Sequence, residues 1–460
     1  MSEKLSSTKD LKRVLGKKEL MGIAIGSIIG SGIMVQMGTG IALTGRSANI
    51  AFLVSTFFTI CNLIPMIFVS SCLRFRGGDY TQMGLFAGDK FAGAYTIVYI
   101  FKNITIAMFA LSFADYFLSL FPGLPHMAVA IGVATIFFIL NFFGVNIMAK
   151  VQNLMVGVLL FALLLFVLFG MPHVDFTTYF SNADGNFMTD GVPGILSAAA
   201  TLGFATGGAN MIFSLSAECK NPKKDIPFVL IASTLSVAVL YGLIATVASG
   251  VLPVDQVAGK SLTVVAAEIF PRPLYLFFIV GGALFAISTT LNSKLGSVTK
   301  PLMQMCEDGW FPKSLADLHP KYRTPWKLQL LFYVVTIIPI VTGFKINQIT
   351  TIVLIIGYCI TALNTVMCFK LPRMFPEAWK KSNFHMPMMA FSALLLLSLG
   401  VTVVQFYSKM RATTFKIIIL NAVTITVAFL FANWRLKTGK AKPTISYEVE
   451  DEKTEQGGTK

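Results

Sequence analysis

The sequence is dominated by apolar runs that are long enough to cross a lipid bilayer. A helix that spans the hydrocarbon needs about 20 consecutive, predominantly apolar residues. Hydrophobic residues make up 55% of the 460 residues and charged residues only 13%, whereas a typical soluble protein carries roughly 25% charged residues. We therefore predict an all-α membrane protein with about 12 transmembrane helices and no large soluble domain.

The apolar runs separate into twelve predicted spans joined by short polar connections. Length and periodicity place the spans at residues 19–44, 48–72, 91–121, 126–146, 150–171, 190–216, 226–250, 272–302, 325–344, 347–370, 386–407 and 414–434. Residues 1–18 are predicted to form a basic cytoplasmic arm. Residues 435–460 are predicted to form a cytoplasmic tail, with about the last 20 residues disordered because they are charged and end in glycine.

The chain carries a net charge of +15, from 37 basic and 22 acidic residues. In a soluble protein this excess would suggest nucleic acid, but in a membrane protein the position of the basic residues matters more. The basic residues concentrate in alternate connections, which the positive-inside rule places in the cytoplasm. We predict a multi-pass plasma-membrane protein with both termini in the cytoplasm. Its predicted surroundings are the lipid bilayer and not nucleic acid, and a monomer or a homodimer is expected.

Two of the spans contain glycine-rich runs at the depth where a membrane helix should be most uniform. Span 1 holds Gly30-Ser31-Gly32, and span 6 holds the run from Phe204 to Asn210 with Gly207-Gly208 at its centre. A freed backbone group in hydrocarbon costs several kcal/mol unless it is satisfied, so broken backbone survives there only where it lines a cavity or binds a ligand. Small residues at a tight helix contact are the alternative explanation for either run alone.

The two interrupted spans stand five spans apart, at corresponding positions of two successive sets of five. Interrupted segments at corresponding positions are typical of the binding site of an inverted-repeat transporter. Residues 19–171 (spans 1–5) are therefore predicted to form a first five-helix repeat, and residues 190–370 (spans 6–10) a second repeat in inverted orientation. Spans 11 and 12, residues 386–434, fall outside the repeat.

Four short motifs occur in one order along the chain. They are Gly30-Ser31-Gly32-Ile33 in span 1, Gly77-Gly78-Asp79-Tyr80 after span 2, Phe204 to Asn210 followed by Asn221 to Pro227 around the end of span 6, and Glu307 to Pro312 after span 8. Together they resemble the amino acid–polyamine–organocation (APC) superfamily, particularly its amino-acid permeases and exchangers. The resemblance implies a LeuT-type 5+5 inverted repeat with broken helices 1 and 6, and a substrate held between spans 1, 3, 6 and 8.

A zwitterionic amino acid can be held by the two helix breaks without any charged side chain. Its carboxylate suits the free N–H groups at the start of a half-helix, which in span 1 belong to Ser31, Gly32 and Ile33. Its ammonium suits carbonyl oxygens at the end of a half-helix. The carbonyls predicted to accept its hydrogen bonds are those of Ile28, Ile29, Phe204 and Thr206. Phe204 also stands where the resemblance implies an aromatic gate over the substrate, although a core or lipid-facing aromatic is the alternative.

Three residues bear on which amino acid is carried. Ala209 replaces a bulky aromatic of related exchangers, and Asn210 stands where some relatives use glutamate, so a cationic substrate lacks an obvious counter-ion. Lys294 falls near the middle of span 8, where a buried ammonium must face a cavity, pair with an acid or titrate. It is predicted to contact the substrate or its side-chain carboxylate; an internal ion pair or snorkelling is the alternative. A neutral or an acidic amino acid is thus expected.

Span 8 also offers oxygen atoms for a cation. The Ala286 carbonyl and the Thr289 and Thr290 hydroxyls share one helical face, and with the Gly26 and Ile29 carbonyls they resemble the sodium site of the fold. Hard oxygen ligands suit a hard cation, but the two threonines could equally hydrogen-bond to their own helix. No cofactor is predicted, and sodium symport, proton coupling and exchange all stay open.

The predicted function is secondary active transport of an amino acid by alternating access, as a symporter or an exchanger. A transporter of an amine or another amino-acid derivative is the alternative. An enzyme is not predicted, because none of the four histidines lies in a known catalytic pattern, and the six scattered cysteines show no metal-ligand spacing. A channel would be expected to lack paired breaks or to show a repeated filter loop.

Overall fold

Most of the chain is helical in the computed structural model of the protein. The structure describes residues 15–75, 78–143, 146–322, 324–444 and 447–449. Most of the basic arm predicted for residues 1–18 lies outside the described residues, as do Gly77 of the second motif and residues 450–460 of the predicted tail.

Eight helices cover the part of the chain assigned to the first five predicted spans. They are α1 (Lys17–Ile28), α2 (Ser31–Thr44), α3 (Ala48–Cys72), α4 (Asp79–Ala87), α5 (Asp89–Lys102), α6 (Thr105–Leu120), α7 (His126–Phe143) and α8 (Asn146–Gly170). A short strand, β1 (Leu73–Phe75), follows α3. Span 1 is divided between α1 and α2, as its glycine run predicts. Span 3 is divided between α5 and α6, which its composition does not predict.

Ten helices cover the part assigned to spans 6 to 10. They are α9 (Phe176–Tyr179), α10 (Gly191–Thr206), α11 (Pro222–Gly250), α12 (Val254–Val257), α13 (Thr263–Ile269), α14 (Arg272–Phe277), α15 (Phe285–Ser297), α16 (Thr299–Glu307), α17 (Trp326–Val341) and α18 (Ile346–Cys368). A 3₁₀ segment, Ala209–Glu218, follows α10, and a π-helical segment, Phe278–Leu284, joins α14 to α15. Span 6 is therefore also broken where its glycine pair predicts.

Four helices and one strand complete the chain: α19 (Leu371–Met374), α20 (Pro376–Lys380), α21 (Met388–Arg411), α22 (Phe415–Lys437) and β2 (Tyr447–Val449). Strand β2 pairs antiparallel with β1, with Arg74 opposite Glu448. The prediction that about the last 20 residues are disordered is therefore wrong for Tyr447–Val449. Pairing with a strand some 370 residues earlier in the chain is a tertiary contact, which the polar composition of the tail does not reveal.

Nine helical stretches in the described part of the chain are long and apolar enough to cross a membrane, and two shorter apolar helices, Gly191–Thr206 and Trp326–Val341, accompany them. Large apolar side chains cover the outside of the bundle: Leu168, Val239 and Leu430 are each more than 60% exposed. An exposed apolar surface of this kind is stable where lipid, and not water, surrounds it. The protein is thus a multi-pass helical membrane protein.

Helix α3 lies at the centre of the bundle, where it packs against α10, α11 and α21. Helix α10 packs on its other side against α2, so both interrupted spans contact the same central region. Helices α21 and α22 pack on the outside, against α18 and α5 respectively. The central region therefore brings together the end of α1, the start of α2 and the end of α10.

The π-helical segment in span 8 coincides with a close helix contact. A methyl group added to Gly281 would lie 2.8 Å from Val158 Cγ1 of α8, and one added to Gly282 would lie 3.3 Å from Ala162 Cβ. Single π-helical turns occur mostly as local insertions in α-helices. The glycine pair therefore lets α8 approach span 8 at the turn where the helical hydrogen bonds change partners.

Arg46, between α2 and α3, fastens the connection before α10. Its guanidinium donates to both carboxylate oxygens of Asp184, at 2.6 and 2.8 Å, and to the carbonyls of Tyr179 and Ser181. In return, the Tyr179 hydroxyl donates to the Arg46 carbonyl at 2.7 Å. The hydrogen bonds from Arg46, together with that from the Asn186 N–H, hold the pKa of Asp184 well below its usual range.

Replacing Arg46 with Met is expected to lower the thermal unfolding midpoint at pH 7. A carboxyl whose folded-state pKa is lowered stabilises the fold above its unfolded value, and this contribution disappears as the pH falls through the folded value. The difference between native protein and Arg46→Met should therefore shrink on acidification. The exposed Arg272, replaced by Met, is the control. Equal midpoints for native protein and Arg46→Met at pH 7 would contradict a stabilising role for the Arg46–Asp184 pair.

Candidate functional site

The break in span 1 leaves backbone groups without helical partners. Helix α1 ends at Ile28 and α2 begins at Ser31, with Gly30 in an extended conformation between them (φ −137°, ψ −143°). Ser31, Gly32 and Ile33 form the first turn of α2, so their N–H groups have no acceptor within the helix. The predicted carboxylate donors are therefore at a helix N-terminus, as expected.

The carbonyl at the end of α1 already has hydrogen-bond donors. The Ile28 oxygen accepts from the Tyr241 hydroxyl at 2.8 Å and from the Gly30 N–H at 2.9 Å. A carbonyl oxygen has two lone pairs, so both are in use. Among the carbonyls predicted to hold an ammonium, the one at Ile28 is thus already engaged by Tyr241 of α11. The neighbouring Ile29 carbonyl accepts no hydrogen bond from the residues that the structure describes.

The break in span 6 depends on a glycine. Helix α10 ends at Thr206, Gly207 is extended, and Gly208 has φ +124° before the 3₁₀ segment starts at Ala209. A side chain at this φ would be strained. The Gly207 N–H donates to the Gly203 carbonyl at 3.0 Å and closes the last turn of α10.

The two breaks lie against each other. A methyl group added to Gly208 would lie 2.5 Å from the Ser27 carbonyl oxygen, and one added to Gly32 would lie 2.7 Å from the Ala205 Cα. Only glycine permits these backbone approaches. The two breaks are thus in direct contact. The same contact also fits the alternative explanation, in which small residues allow two helices to pack tightly.

The side chains of Phe204 and Thr206 face neighbouring helices. Thr206 Oγ1 is within hydrogen-bond distance of Thr59 Oγ1, at 2.7 Å, and of Ser55 Oγ, at 3.1 Å, both on α3. Phe204 is half-buried and its ring lies 5.9 Å from that of Phe109 on α6. Thr206 therefore anchors the end of α10 to the central helix, and Phe204 occupies the contact between spans 3 and 6.

The oxygen atoms predicted to bind sodium in span 8 have partners within their own helix. The Thr289 and Thr290 hydroxyls each donate to the Ala286 carbonyl at 2.9 Å. This is the local hydrogen bonding that the sequence leaves open as an alternative. The two threonines nevertheless lie beside the break in span 1, because a methyl group on Gly30 would clash with the Thr290 hydroxyl. Gly26, by contrast, has open space around its Cα.

A cavity of about 150 Å³ opens beside the break in span 6. Gly207, Gly208, Ala209 and Asn210 form one wall, and residues of α3, α4 and α18 form the others. Asn210 is exposed there. Of the nine residues predicted to bind substrate, Asn210 alone lines this cavity among the described residues. Ser31, Gly32 and Ile33, in the first turn of α2, are not among the residues that line it.

The cavity also contains acceptors and a cation that were not predicted to bind substrate. Asp79 Oδ1, Gln82 Oε1 and Asn364 Oδ1 are buried oxygens without a hydrogen-bond donor in the described structure, and all three residues line the cavity. Lys102, at the end of α5, lines the same space. Buried polar atoms normally have partners, so these oxygens are available to a ligand with N–H or O–H groups. Gln82 and Asn364 carry no sequence signal beyond being polar in apolar helices.

Asp79 is the acidic group of this cavity. Its Oδ2 accepts from the Tyr95 hydroxyl at 3.3 Å. Burial raises the pKa of the Asp79 carboxyl, and the nearby Lys102 charge acts in the opposite direction. Asp308, in contrast, anchors loops: its Oδ2 accepts from the Tyr80 hydroxyl at 2.5 Å and its Oδ1 from the Thr444 N–H at 3.1 Å.

Lys294 lies in the last turn of α15 and outside the lining of this cavity. It is close enough to Lys102 for the two positive charges to repel each other. No salt bridge to Lys294 is found in the described part of the chain. The internal ion pair considered for Lys294 is therefore absent among the described residues. These residues also contain no group of three or more His, Cys, Asp or Glu side chains that could hold a metal ion.

A membrane-embedded helical bundle whose two broken helices meet beside a polar cavity is the architecture of a solute transporter. Comparison with known families agrees with this class. The family model described as amino acid permease matches residues 15–429. The chain belongs to the amino acid permease family, which confirms the resemblance to the APC superfamily.

Several characterised relatives match most of the chain. A branched-chain amino acid permease of Bacillus subtilis (strain 168), BcaP, is 27% identical over 87% of this chain and 91% of its own length. The methylthioribose transporter of the same organism is 26% identical over 93% of this chain and 95% of its own. Its serine/threonine exchanger SteT is 26% identical over 69% and 74% respectively.

Substituting Gly208 with Ala is expected to destabilise the protein. A side chain at φ +124° is strained and would press on the Ser27 carbonyl, and backbone strain of this kind costs about 1–3 kcal/mol. Gly22→Ala is the matched control, because Gly22 is helical and has nothing within 4 Å of an added methyl group. Unfolding in detergent measures both. If Gly208→Ala is as stable as Gly22→Ala, the contact between the breaks is not as described.

Replacing Asp79 with Asn is expected to raise the unfolding midpoint at pH 7. Burial raises the folded-state pKa of this carboxyl, so its ionised form costs stability above that pKa and the cost disappears as the pH falls through it. The advantage of Asp79→Asn should therefore shrink in acid. The exposed Asp89, replaced by Asn, is the control. A lower midpoint for Asp79→Asn at pH 7 would show that a counter-charge outweighs the burial.

Proposed function

We propose that this protein is a secondary active transporter of amino acids in the plasma membrane, working by alternating access. The observation that carries the proposal is the contact between the two helix breaks beside a polar cavity. Membership of the amino acid permease family supports it, as do the permease and exchanger relatives. Transport, and not catalysis, is the activity proposed.

The proposed fold has twelve spans, arranged as two inverted five-helix repeats (residues 19–171 and 190–370) followed by spans 11 and 12 (residues 386–434). The helix count supports this division. One of the nine membrane-length stretches, Gly32–Cys72, runs through parts of two predicted spans, and the two shorter apolar helices supply spans 6 and 9. The arm and tail, residues 1–18 and 435–460, are proposed to be cytoplasmic.

The proposed binding mode holds the carboxylate at the start of α2 and the ammonium at carbonyls near the ends of α1 and α10. The Ser31, Gly32 and Ile33 N–H groups supply the donors. Because the Ile28 carbonyl already accepts two hydrogen bonds, Tyr241 would have to release it for Ile28 to take part. The remaining carbonyls of the proposed set are those of Ile29, Phe204 and Thr206.

The cavity at the helix breaks is placed toward one side of the predicted membrane span. The cavity lies next to Asp79 and Lys102, on the side whose connections are predicted to be cytoplasmic. At the other end α2 is fastened to its neighbours: the Tyr116 hydroxyl donates to the Met34 carbonyl at 2.9 Å, and the Gly259 N–H donates to the Gly38 carbonyl at 2.7 Å. An inward-facing arrangement is therefore proposed.

The charges around the site favour a neutral or an acidic amino acid. Asn210 lines the cavity and cannot neutralise a cationic side chain. Asp79 and Lys102 balance each other in the cavity, and Lys294 adds a second positive charge nearby. In this proposal Lys294 attracts a carboxylate as the substrate passes, and an arginine-like substrate is repelled.

Three modes of coupling agree with this geometry. Thr289 and Thr290 already donate to the Ala286 carbonyl, yet a hydroxyl that donates keeps lone pairs for a cation. Sodium symport through Gly26, Ile29, Ala286, Thr289 and Thr290, proton coupling and exchange are thus alternatives to be separated by measurement.

A second candidate function comes from the methylthioribose transporter. That relative covers more of the chain than the other two, at a similar identity, and its named solute is not an amino acid. A solute without a carboxylate would leave the N–H groups of α2 unused but could still occupy the unpaired oxygens of Asp79, Gln82 and Asn364.

Counterflow in proteoliposomes tests the proposal. Proteoliposomes that contain the full-length protein are loaded with one unlabelled amino acid. They are expected to accumulate the labelled form of that amino acid saturably, and neutral or acidic amino acids, but not arginine, should compete. Replacing external sodium with choline separates sodium symport from exchange. Inhibition by methylthioribose, without any amino acid competing, would overturn the amino-acid proposal in favour of the second candidate.

Asn210→Leu is expected to raise the KM for the transported amino acid about tenfold, which corresponds to roughly 1.4 kcal/mol. The loss of a hydrogen bond to a charged group is of this size. Asn383→Leu is the matched control, because Asn383 is exposed in the connection before α21 and does not line the cavity. An unchanged KM in Asn210→Leu would remove Asn210 from the substrate path.

A further inference from the structure

A second cavity, of about 170 Å³, lies at the other end of the bundle. It is enclosed by the end of α2, the middle of α10, the start of α18 and the end of α21. Lys409 of α21 lines it and is only 6% exposed. Asn347 and Ala412 are exposed at its rim, so the cavity opens outwards and has a buried ammonium group at its base.

The charge of Lys409 has no counter-charge in this cavity. None of the ten residues that line the cavity is acidic, and no salt bridge to Lys409 is found in the described part of the chain. Its Nζ donates to the Thr201 hydroxyl of α10. A buried charge is costly unless it is paired and hydrogen-bonded, and one neutral hydroxyl uses only one of the three donors of an ammonium.

The other polar groups of the cavity offer mainly donors. The hydroxyls of Thr201 and Thr351 donate back to the Ser197 and Asn347 carbonyls, each at 2.8 Å. Asn347 Oδ1 accepts from Thr39 at 3.1 Å, so its amide N–H groups are left over. The Ser197 and Thr413 hydroxyls also have no acceptor in the described structure.

We propose that this cavity binds a small monovalent anion, either a free halide or a carboxylate, on the Lys409 ammonium. The anion supplies the missing charge and accepts from Lys409 Nζ, Asn347 Nδ2, and the Ser197 and Thr413 hydroxyls. The inference does not depend on the proposed function, because it concerns an equilibrium binding site outside the cavity at Asn210.

A bound anion would connect α10, which ends at the break in span 6, with α21. Thr201 lies five residues before Thr206, the last residue of α10, which is about 7.5 Å along a helix. Lys409 belongs to α21, outside the two proposed repeats. An anion between them would strengthen the contact of α10 with α21 and favour the arrangement in which this end of the bundle is closed.

Thermal unfolding of the purified full-length protein in a neutral detergent tests the site at constant ionic strength. Chloride or acetate is titrated against gluconate, which is much bulkier than either anion. The midpoint is expected to rise saturably with the small anion. A rise with chloride identifies a halide site, and a rise with acetate alone identifies a carboxylate site. No saturable rise with either anion in the native protein overturns the proposal.

Three variants locate the effect. Lys409→Met is expected to raise the apparent Kd of the anion at least tenfold, whereas Lys409→Arg, which keeps the charge, should retain most of the binding. Lys416→Met is the matched control, because Lys416 is exposed at the start of the following helix. An equal anion response in native protein and Lys409→Met overturns the site. Should Lys409→Met fail to fold, Ser197→Ala, expected to raise the Kd severalfold, takes its place.

Discussion

Every backbone amide inside a bilayer has to find its hydrogen-bond partner within the protein. In this protein a neighbouring helix supplies one of these partners at the break in span 1, and the two breaks pack closely against each other. Gly208 rests on the Ser27 carbonyl and Gly32 on the backbone of Ala205, while Tyr241 caps the last carbonyl of α1. The broken backbone is thus enclosed by close packing inside the bundle.

Polar side chains inside the bundle serve the same end. Thr206 is held by the hydroxyls of Ser55 and Thr59 on the central helix, and Asn141 of α7 donates to Asn292 of α15 at 3.0 Å. Such contacts fix the position of helices that lipid itself cannot order, because lipid tails are as apolar as leucine. Several buried oxygens lack a donor in the described structure, and three of them, on Asp79, Gln82 and Asn364, line the same cavity.

The class of fold and the positions of both breaks could be predicted from the sequence, because hydropathy and glycine act locally. Phe204, Thr206 and the first turn of α2 were placed at the breaks for the same reason. Other features depend on partners distant in the chain. The Tyr241 bond to Ile28, the division of span 3 at Asn103, and the unpaired oxygens of Gln82 and Asn364 follow from tertiary packing, which composition and spacing do not encode.

The strand pair between β1 and β2 ties the end of the chain to the segment that leads into the cavity. Arg74 of β1 donates to the Cys219 carbonyl, and Phe75 packs on Phe213 of the 3₁₀ segment that continues span 6. The C-terminal tail is thereby joined, through β1, to the 3₁₀ segment that continues span 6. Removing the tail from Tyr447 onwards would leave β1 as an unpaired edge, so the end of the chain supports the packing of span 6 from a distance of more than 200 residues in the sequence.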